Sequence, residues 1–437
     1  MSIFRSYDIR GTYPDQLNEE IAYKIGRAFA RRSKASEITV GNDMRLSGPV
    51  LKKALIRGIT DEGVNVKDIG LVPVDAVYSS VGIFGDEAAV MITASHNPKE
   101  YNGFKMVLKG MNWVRGLELE EDIKKLPGLE KKQKGNVRKE DIIPKYINHV
   151  LSFVEINKIK PFKVVVDAGN GMAGKIIPIL EKRLPIKVIP LNFELDGNFP
   201  AHPSNPLLPE SQKQASEAVL EKNADFGVIF DGDTDRVFFI DEKGKFVRAD
   251  ITLLLLARLF LKKEPGSGIV YNVICSHIVP EMIKKWGGKP IISKVGFVNI
   301  SRNLREKNGI MGGELSAHYS FRDNAYADSG FIAFLILLQE LSAYDKKLSE
   351  IVKPFNKYVK TDEINLKLDN IPMALEKIKQ EFKDGKIDEL DGITVNYDNW
   401  WFNARPSNTE PLLRITVEAD SETVLNTNKN RILELLK

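Results

Sequence analysis

The chain has 437 residues, too many for one compact core at ~150 residues per domain, and its 43% hydrophobic and 28% charged residues exclude a disordered polymer. Lysine and arginine number 63 against 59 acidic residues, so a formal charge of +4 supplies no broad basic field and argues against nucleic acid as a partner. The lone Cys275 excludes an internal disulfide and a Cys-rich zinc site, and the apolar runs, such as Phe331 to Leu338, fall short of the ~18 residues of a membrane span.

The start, MSIFRSYDIRG, has no basic-then-apolar export pattern, which predicts a soluble cytoplasmic protein, with a homodimer a permitted assembly. In chain order, EITVGND precedes the helical pattern PVLKKALIRGI, and AAVMI runs into TASHNP. KVVVDAGNG then precedes MAGKIIPILEKRL, and DFGVIF runs into DGDTDR. This alternation predicts α/β units whose ligands sit on loops after the carboxyl ends of strands. The Lys-rich stretch 124–139 reads as a solvated connection, and the amphipathic segment 142–154 leads into the next strand. The expected domains are 1–145, 146–248, 249–360 and 361–437, the third opening on ADITLLLLARLFL. The last combines EINLKL, a helix IPMALEKIKQEF, strands around ITVNY and LLRITVEA and a closing helix, an α+β pattern.

Five constellations could carry chemistry. Ser95 stands beside His96 on a turn directly after a strand, placed like a nucleophile that could enter acyl transfer or carry a phosphoryl group. By itself, such a turn is as well explained by Ser and Asn satisfying the backbone. Gly169, Gly171 and Gly174 match G-x-G-x-x-G, with Glu194 about twenty residues on, as a dinucleotide site requires. Against that, Asp167 and Ala168 separate the strand from the glycines and Pro190 interrupts the next strand, so glycines serving a tight turn are the better reading. Asp231, Asp233 and Asp235 alternate after a buried strand, where a hard cation would relieve their repulsion, and magnesium is the natural occupant. Glu242 falls at an EF-hand's twelfth position, but Arg236 replaces the required glycine; a haloacid-dehalogenase phosphatase would need Thr where Asp235 stands. Glu314, Ser316 and His318 alternate in GGELSAHYSF, so on an extended loop they would face one way. Arg405, Ser407, Asn408 and Thr409, with Arg414 nearby, offer donors to a dianionic phosphate, with no comparable opposing charge in the local sequence.

Together, YDIRG at Tyr7 to Gly11, TASHNP, DGDTDR, GGELSAH and RPSNTEP resemble, in order and spacing, the α-D-phosphohexomutase superfamily. GELSAHYSFRD and AYADSG are closest to its phosphomannomutase/phosphoglucomutase branch, whereas the glucosamine branch usually has GEQSGH. The resemblance implies four domains around a central cleft: three similar α/β mixed-sheet domains and a mobile C-terminal α+β phosphate-binding domain. It implies an isomerase interconverting hexose 1-phosphate and hexose 6-phosphate, of mannose and glucose. Ser95 would carry the phosphoryl group, and a 1,6-bisphosphorylated hexose would be both intermediate and activator.

By the same resemblance, Mg2+ would be held by Ser95, as its phosphate, with Asp231, Asp233 and Asp235. Arg10, His96, Lys105 and Arg236 would surround that centre. Glu314 and Ser316 would read sugar hydroxyls, and 405–409 would grip the distal phosphate. One departure concerns proton transfer, because Ile274 and Phe297 stand where bacterial members supply a lysine and a histidine. His318 and Lys105 are then the candidate proton carriers, with Lys294 and His277 as nearby substitutes. Two alternative readings are a phosphoglucosamine mutase and a phosphosugar-binding protein without turnover.

Overall fold

A computed structural model describes residues 2–5, 7–129, 133–407 and 412–437. They form two compact units: Met1–Arg248 with Ser316–Ser349, and Ala249–Leu315 with Glu350–Lys437.

In the first unit, strands Glu37–Asn42, Asn65–Leu71 and Ala88–Ile92 run parallel because the helices Gly48–Asp61 and Val74–Gly82 cross between them. Tyr101–Leu108 then folds back antiparallel onto Ala88–Ile92, and Ile9–Thr12 adds beyond it. Every residue of AAVMI is buried, as a central strand covered on both faces requires. The helix Glu19–Ser33 starts where the Asn18 carboxamide accepts from Ile21 N at 3.1 Å, and it carries Glu19 and Glu20 in its first turn. Its Ile25 and Phe29 join Leu51, Leu55 and Ile59 in one core. Truncating Phe29 to alanine there would cost about 3–5 kcal/mol.

A second sheet of this unit sets Ile186–Leu191, Phe162–Asp167 and Phe226–Phe230 parallel, then turns back through 231–236 into Val237–Ile240. FGVIF and VFFI are wholly buried, so two dry strands hold the aspartate turn between them. Pro190, expected to interrupt its strand, instead pairs with Val166 inside it. Ile186–Leu191 is the outer strand of its sheet, where the missing N–H of proline costs no ladder bond. Residues 316–349 belong to this unit because Phe331 and Phe334 of the wholly buried helix Gly330–Ser342 pack on Phe230, with ring centroids 5.0 and 6.2 Å away.

In the second unit, parallel strands Lys289–Ser293, Gly268–Asn272 and Gly309–Gly313 accompany the helices Ala249–Lys263, Ile278–Lys285 and Phe297–Glu306. A separate antiparallel sheet runs Val359–Lys360, Leu413–Ala419, Trp400–Pro406, Ile393–Asn396, Lys386–Asp388, and Ile364–Leu366 also pairs with Leu413–Ala419. Phe382, Trp400, Phe402, Val417 and Ile432 form its own core.

Two strands depart from the expected connections. Trp400–Pro406 makes a strand of residues whose sequence reads as the start of a phosphate loop. Its side chains at 400, 402 and 404 enter the core, so the alternation outweighs the polar tail. Val137–Lys139 pairs with Asn65–Leu71 inside the expected solvated stretch, and its three exposed residues give no apolar signal. Among the described residues, no helix is long and apolar enough to cross a membrane.

Candidate active site

The strand Ala88–Ile92 delivers Ser95 in the left-handed region, φ 49°, a conformation that costs a non-glycine residue about 1 kcal/mol or more and persists only where the surroundings enforce it. Here Arg45 enforces it. Its buried guanidinium donates to four carbonyls of the loop: Nη1 to Pro98 O and Tyr101 O, each at 2.8 Å, and Nη2 to Ser95 O at 2.8 Å and Asn97 O at 2.6 Å. Thr93 Oγ1 accepts from Ser95 N at 2.9 Å and donates to Asp43 Oδ2 at 2.6 Å. Sequence reasoning missed Asp43 and Arg45, although NDMR follows a strand directly, the position where ligand-binding loops begin.

The hydroxyl so held donates to Asp231 Oδ2 at 2.7 Å, with His96 Nδ1 3.3 Å away and Arg236 Nη2 at 3.4 Å. Asp231, Asp233 and Asp235 are buried and bring carboxylate oxygens within 4.8 Å of one another. Lys105, on a strand of the other sheet, donates to Asp233 Oδ2 at 2.9 Å and to Asp235 Oδ2 at 2.6 Å. Arg236 Nε donates to Asp231 Oδ2 at 3.0 Å.

Burial and the two neighbouring aspartates lift Asp231 to about 7 against the pull of Arg236. Asp235, equally buried, is held below the ordinary carboxylate range because Lys105, His318 and Arg236 outweigh its desolvation. The same aspartates hold Lys105 well above its ordinary value despite burial, so it stays protonated. His96 is pushed well below its ordinary value by burial and by the cations Arg236, Arg10, His318 and Lys105.

The donor set fits a hard divalent cation. Asp233 Oδ1 and Asp235 Oδ1 are buried without a hydrogen-bond partner among the described residues, beside the Asp231 carboxylate that the Ser95 hydroxyl touches. An EF-hand is excluded by geometry, since the Glu242 carboxylate accepts from Ser349 Oγ at 2.5 Å and from its N–H at 3.1 Å. The glycine-rich turn is a packing device: a Cβ on Gly171 would lie 2.7 Å from Gly232 O, and one on Gly174 2.1 Å from Phe193 O.

Arg10 reaches the serine loop, its Nη1 donating to Asn97 Oδ1 at 2.5 Å and its Nε to Asp8 at 2.8 Å. His318 lies 3.7 Å from Asp235 Oδ1 and binds Asp328 Oδ2 through Nδ1 at 2.6 Å, an acid that sequence reasoning passed over inside AYADSG. The extended loop expected for Glu314, Ser316 and His318 is not there. Residues 315 and 316 form a turn and Ala317 has φ 66°, so the alternation is broken. Glu314 is buried in the second unit, its Oε2 accepting from Gly296 N at 2.8 Å, while Ser316 and His318 belong to the first.

In the second unit, Arg405 Nη2 and Arg414 Nη1 donate to the two oxygens of Glu363, at 2.7 and 2.9 Å. An opposing charge is therefore present, contrary to the local reading, because a strand some forty residues upstream brings it. Ser407 N donates to Leu412 O at 2.8 Å; Asn408 and Thr409 lie outside the described residues. Ile274 is buried, Phe297 starts a helix, Lys294 is exposed, and His277 stacks on Trp401 with centroids 5.0 Å apart.

Comparison with known proteins gives a consistent result. Family models described as phosphoglucomutase/phosphomannomutase alpha/beta/alpha domains I, II and III match residues 1–126, 144–244 and 248–358, and the corresponding C-terminal domain matches 363–435. A phosphomannomutase of Vibrio cholerae is 38% identical, with 100% of this chain and 98% of that protein aligned. A phosphomannomutase/phosphoglucomutase of Pseudomonas aeruginosa is 37% identical over 100% of this chain and 96% of its own. The crystal structure of a family protein from Burkholderia thailandensis superposes with a TM-score of 0.92 at 32% identity, covering 100% of this chain and 97% of that one.

Proposed function

This chain belongs to the phosphoglucomutase/phosphomannomutase family, with its four-domain α/β fold, and we propose that it interconverts the 1- and 6-phosphates of mannose and glucose through a phosphoserine at Ser95. The observation that carries the reading is the Ser95 hydroxyl 2.7 Å from Asp231, in a strained turn set against buried carboxylates with oxygens that have no hydrogen-bond partner among the described residues. Such a hydroxyl is oriented by the loop and lies beside anionic groups able to share a cation with its phosphate.

In the first half-reaction the bond between the Ser95 oxygen and phosphorus breaks, with its electron pair leaving on oxygen. A bond from phosphorus to a sugar hydroxyl forms, and the hydroxyl proton passes to a base. The second half-reaction runs the same exchange in reverse, breaking a sugar oxygen–phosphorus bond and re-forming the one to Ser95. The resulting hexose 1,6-bisphosphate reverses its orientation and returns its other phosphoryl group to Ser95, so phosphate moves between O1 and O6 with no net loss. Asp231, Asp233, Asp235 and the Ser95 phosphate would hold Mg2+, which supplies charge neutralisation for phosphoryl transfer. Arg236 donates to the serine oxygen and Arg10 steadies the loop through Asn97. Lys105 is bound by two carboxylates and keeps its proton, so its part is electrostatic. With Nδ1 committed to Asp328, His318 would exchange the sugar proton through Nε2.

In this reading Glu314 and Ser316 bond O3 and O4, which mannose and glucose present alike, and the loop 405–409 with Arg414 grips the distal phosphate. The domain limits near 146, 249 and 361 separate these tasks. A cytoplasmic setting is part of this reading.

A coupled assay of mannose, glucose and glucosamine 1-phosphates, primed with the 1,6-bisphosphate, tests the proposal together with intact mass. Turnover of the first two sugars and a Ser95 phosphoform are expected. Glucosamine phosphate turning over best would move the chain to the glucosamine branch, and absence of any phosphoform would defeat the mechanism.

A further inference from the structure

Strands Trp400–Pro406 and Leu413–Ala419 pair so that Arg405 stands directly opposite Arg414. Directly opposed residues share a face of the sheet, and like charges there repel. The Arg405 side chain is only 3% exposed, so water does little to screen it. The compensating anion arrives from a third strand. Ile364–Leu366 lies along Leu413–Ala419 with Ile364 facing Ile415, and the residue just before it is Glu363. Oε2 accepts from Arg405 and Oε1 from Arg414, one carboxylate oxygen for each guanidinium. Both cations thereby lie on the strand ends next to Ser407 and Leu412, which are joined by Ser407 N donating to Leu412 O.

A guanidinium has five N–H donors, more than one carboxylate oxygen can use. Two guanidiniums and one carboxylate sum to a net positive charge. The Nε of Arg405 is buried with no partner among the described residues. Arg405 is therefore a pre-arranged cation with a donor left for a further anion, in a group whose net charge is positive.

We infer that Glu363 is the positioning residue of the phosphate grip, holding Arg405 and Arg414 at one spacing before a sugar phosphate arrives. The inference rests on the assignment of the 405–409 loop to the distal phosphate. A grip used in both orientations of the substrate acts on ground state and transition state alike, so loss of its anchor falls on KM more than on kcat.

The test is steady-state mutase kinetics of the full chain with glucose 1-phosphate and saturating bisphosphate. E363Q should raise KM about 10-fold while kcat stays within about 3-fold, because glutamine accepts from one arginine and turns an amide toward the other. E363D, which keeps the charge, should recover part of the loss. E363Q combined with R414A should raise KM little beyond R414A alone, as expected of residues acting as one unit. An unchanged or lowered KM in E363Q overturns the inference, the lowered value meaning that Glu363 competes with the phosphate. If E363Q melts well below the parent, E363D and the double-variant comparison decide, and additive effects count against positioning. R405A separates the two assignments. If it leaves KM unchanged, the phosphate reading itself fails, whereas if R405A raises KM and E363Q does not, only the role of Glu363 fails.

Discussion

The serine centre and the arginine pair solve opposite electrostatic problems with different architecture. Around Ser95, three buried aspartates crowd one turn, and the cations that answer them, Lys105 and Arg236, come from a strand of the other sheet and from the turn itself. Around Arg405, two cations face each other across a ladder, and one carboxylate from a third strand answers both. The first centre has an excess of acceptors, with carboxylate oxygens left unpartnered among the described residues. The second has an excess of positive charge, with Arg405 Nε unpartnered among the described residues. A site with spare acceptors suits a metal, and one with spare donors suits a phosphate.

The contrast breaks most visibly at the nucleophile. Ser95→Ala should lower mutase kcat by roughly 10³-fold or more and abolish the phosphoform seen by intact mass, since the hydroxyl held against Asp231 is lost. Full activity in this variant would remove the serine centre from the chemistry. Next, Asp233→Asn should cut turnover by about 100-fold and weaken Mg2+ binding measured by calorimetry, because a buried acceptor charge is lost and Lys105 is left with Asp235 alone. Metal affinity unchanged in that variant would mean that the spare oxygens serve something else. On the donor side, Arg405→Ala should raise KM by about 10- to 100-fold, an effect that added phosphate analogues cannot restore.

A smaller effect tests how the first unit tolerates buried acids away from the serine. Asp75 is buried and lifted to about 7 by desolvation, despite hydrogen bonds from Ser329 Oγ at 2.5 Å and Tyr146 Oη at 2.6 Å. Its ordinary value is ~3.9, so between those limits the folded chain binds a proton that the unfolded chain releases. The associated stability is complete below ~4 and is lost as pH rises through about 7. Asp75→Asn should flatten the decline of stability with pH by up to ~1.4 kcal/mol per pH unit near pH 5–6, read from denaturant melts. Equal slopes in variant and parent would show Asp75 ionised throughout. The smallest effect belongs to Asn370, whose side chain caps Ile371–Glu381 by accepting from Met373 N at 3.0 Å. Alanine there should cost about 1 kcal/mol and leave KM unchanged, the control for the arginine variants in the same unit.

How far the sequence anticipates each centre follows from the same contrast. Ser95, His96 and the alternating aspartates sit on single loops after apolar strands, so local order suffices to expose them. Arg45 and Asp43 escaped because their role is to hold another loop's carbonyls and hydroxyl, a relation that strand pairing alone creates. Glu363 escaped for the same reason, forty-two residues from Arg405 along the chain. The alternation drawn through Glu314, Ser316 and His318 failed because one left-handed residue, Ala317, is enough to cancel a period of two. Trp400–Pro406 shows the converse, a strand whose aromatic alternation was visible but was masked by the polar motif at its end.

Pro190 has a consequence beyond its own strand. Ile186–Leu191 closes one edge of its sheet, and an edge offers its free amides and carbonyls to any extended segment that meets it. An imino nitrogen and the exposed Lys187 interrupt that row of hydrogen-bonding groups. The edge is thus guarded against recruiting a neighbouring chain, a safeguard that matters most while newly made copies are still folding at high local concentration.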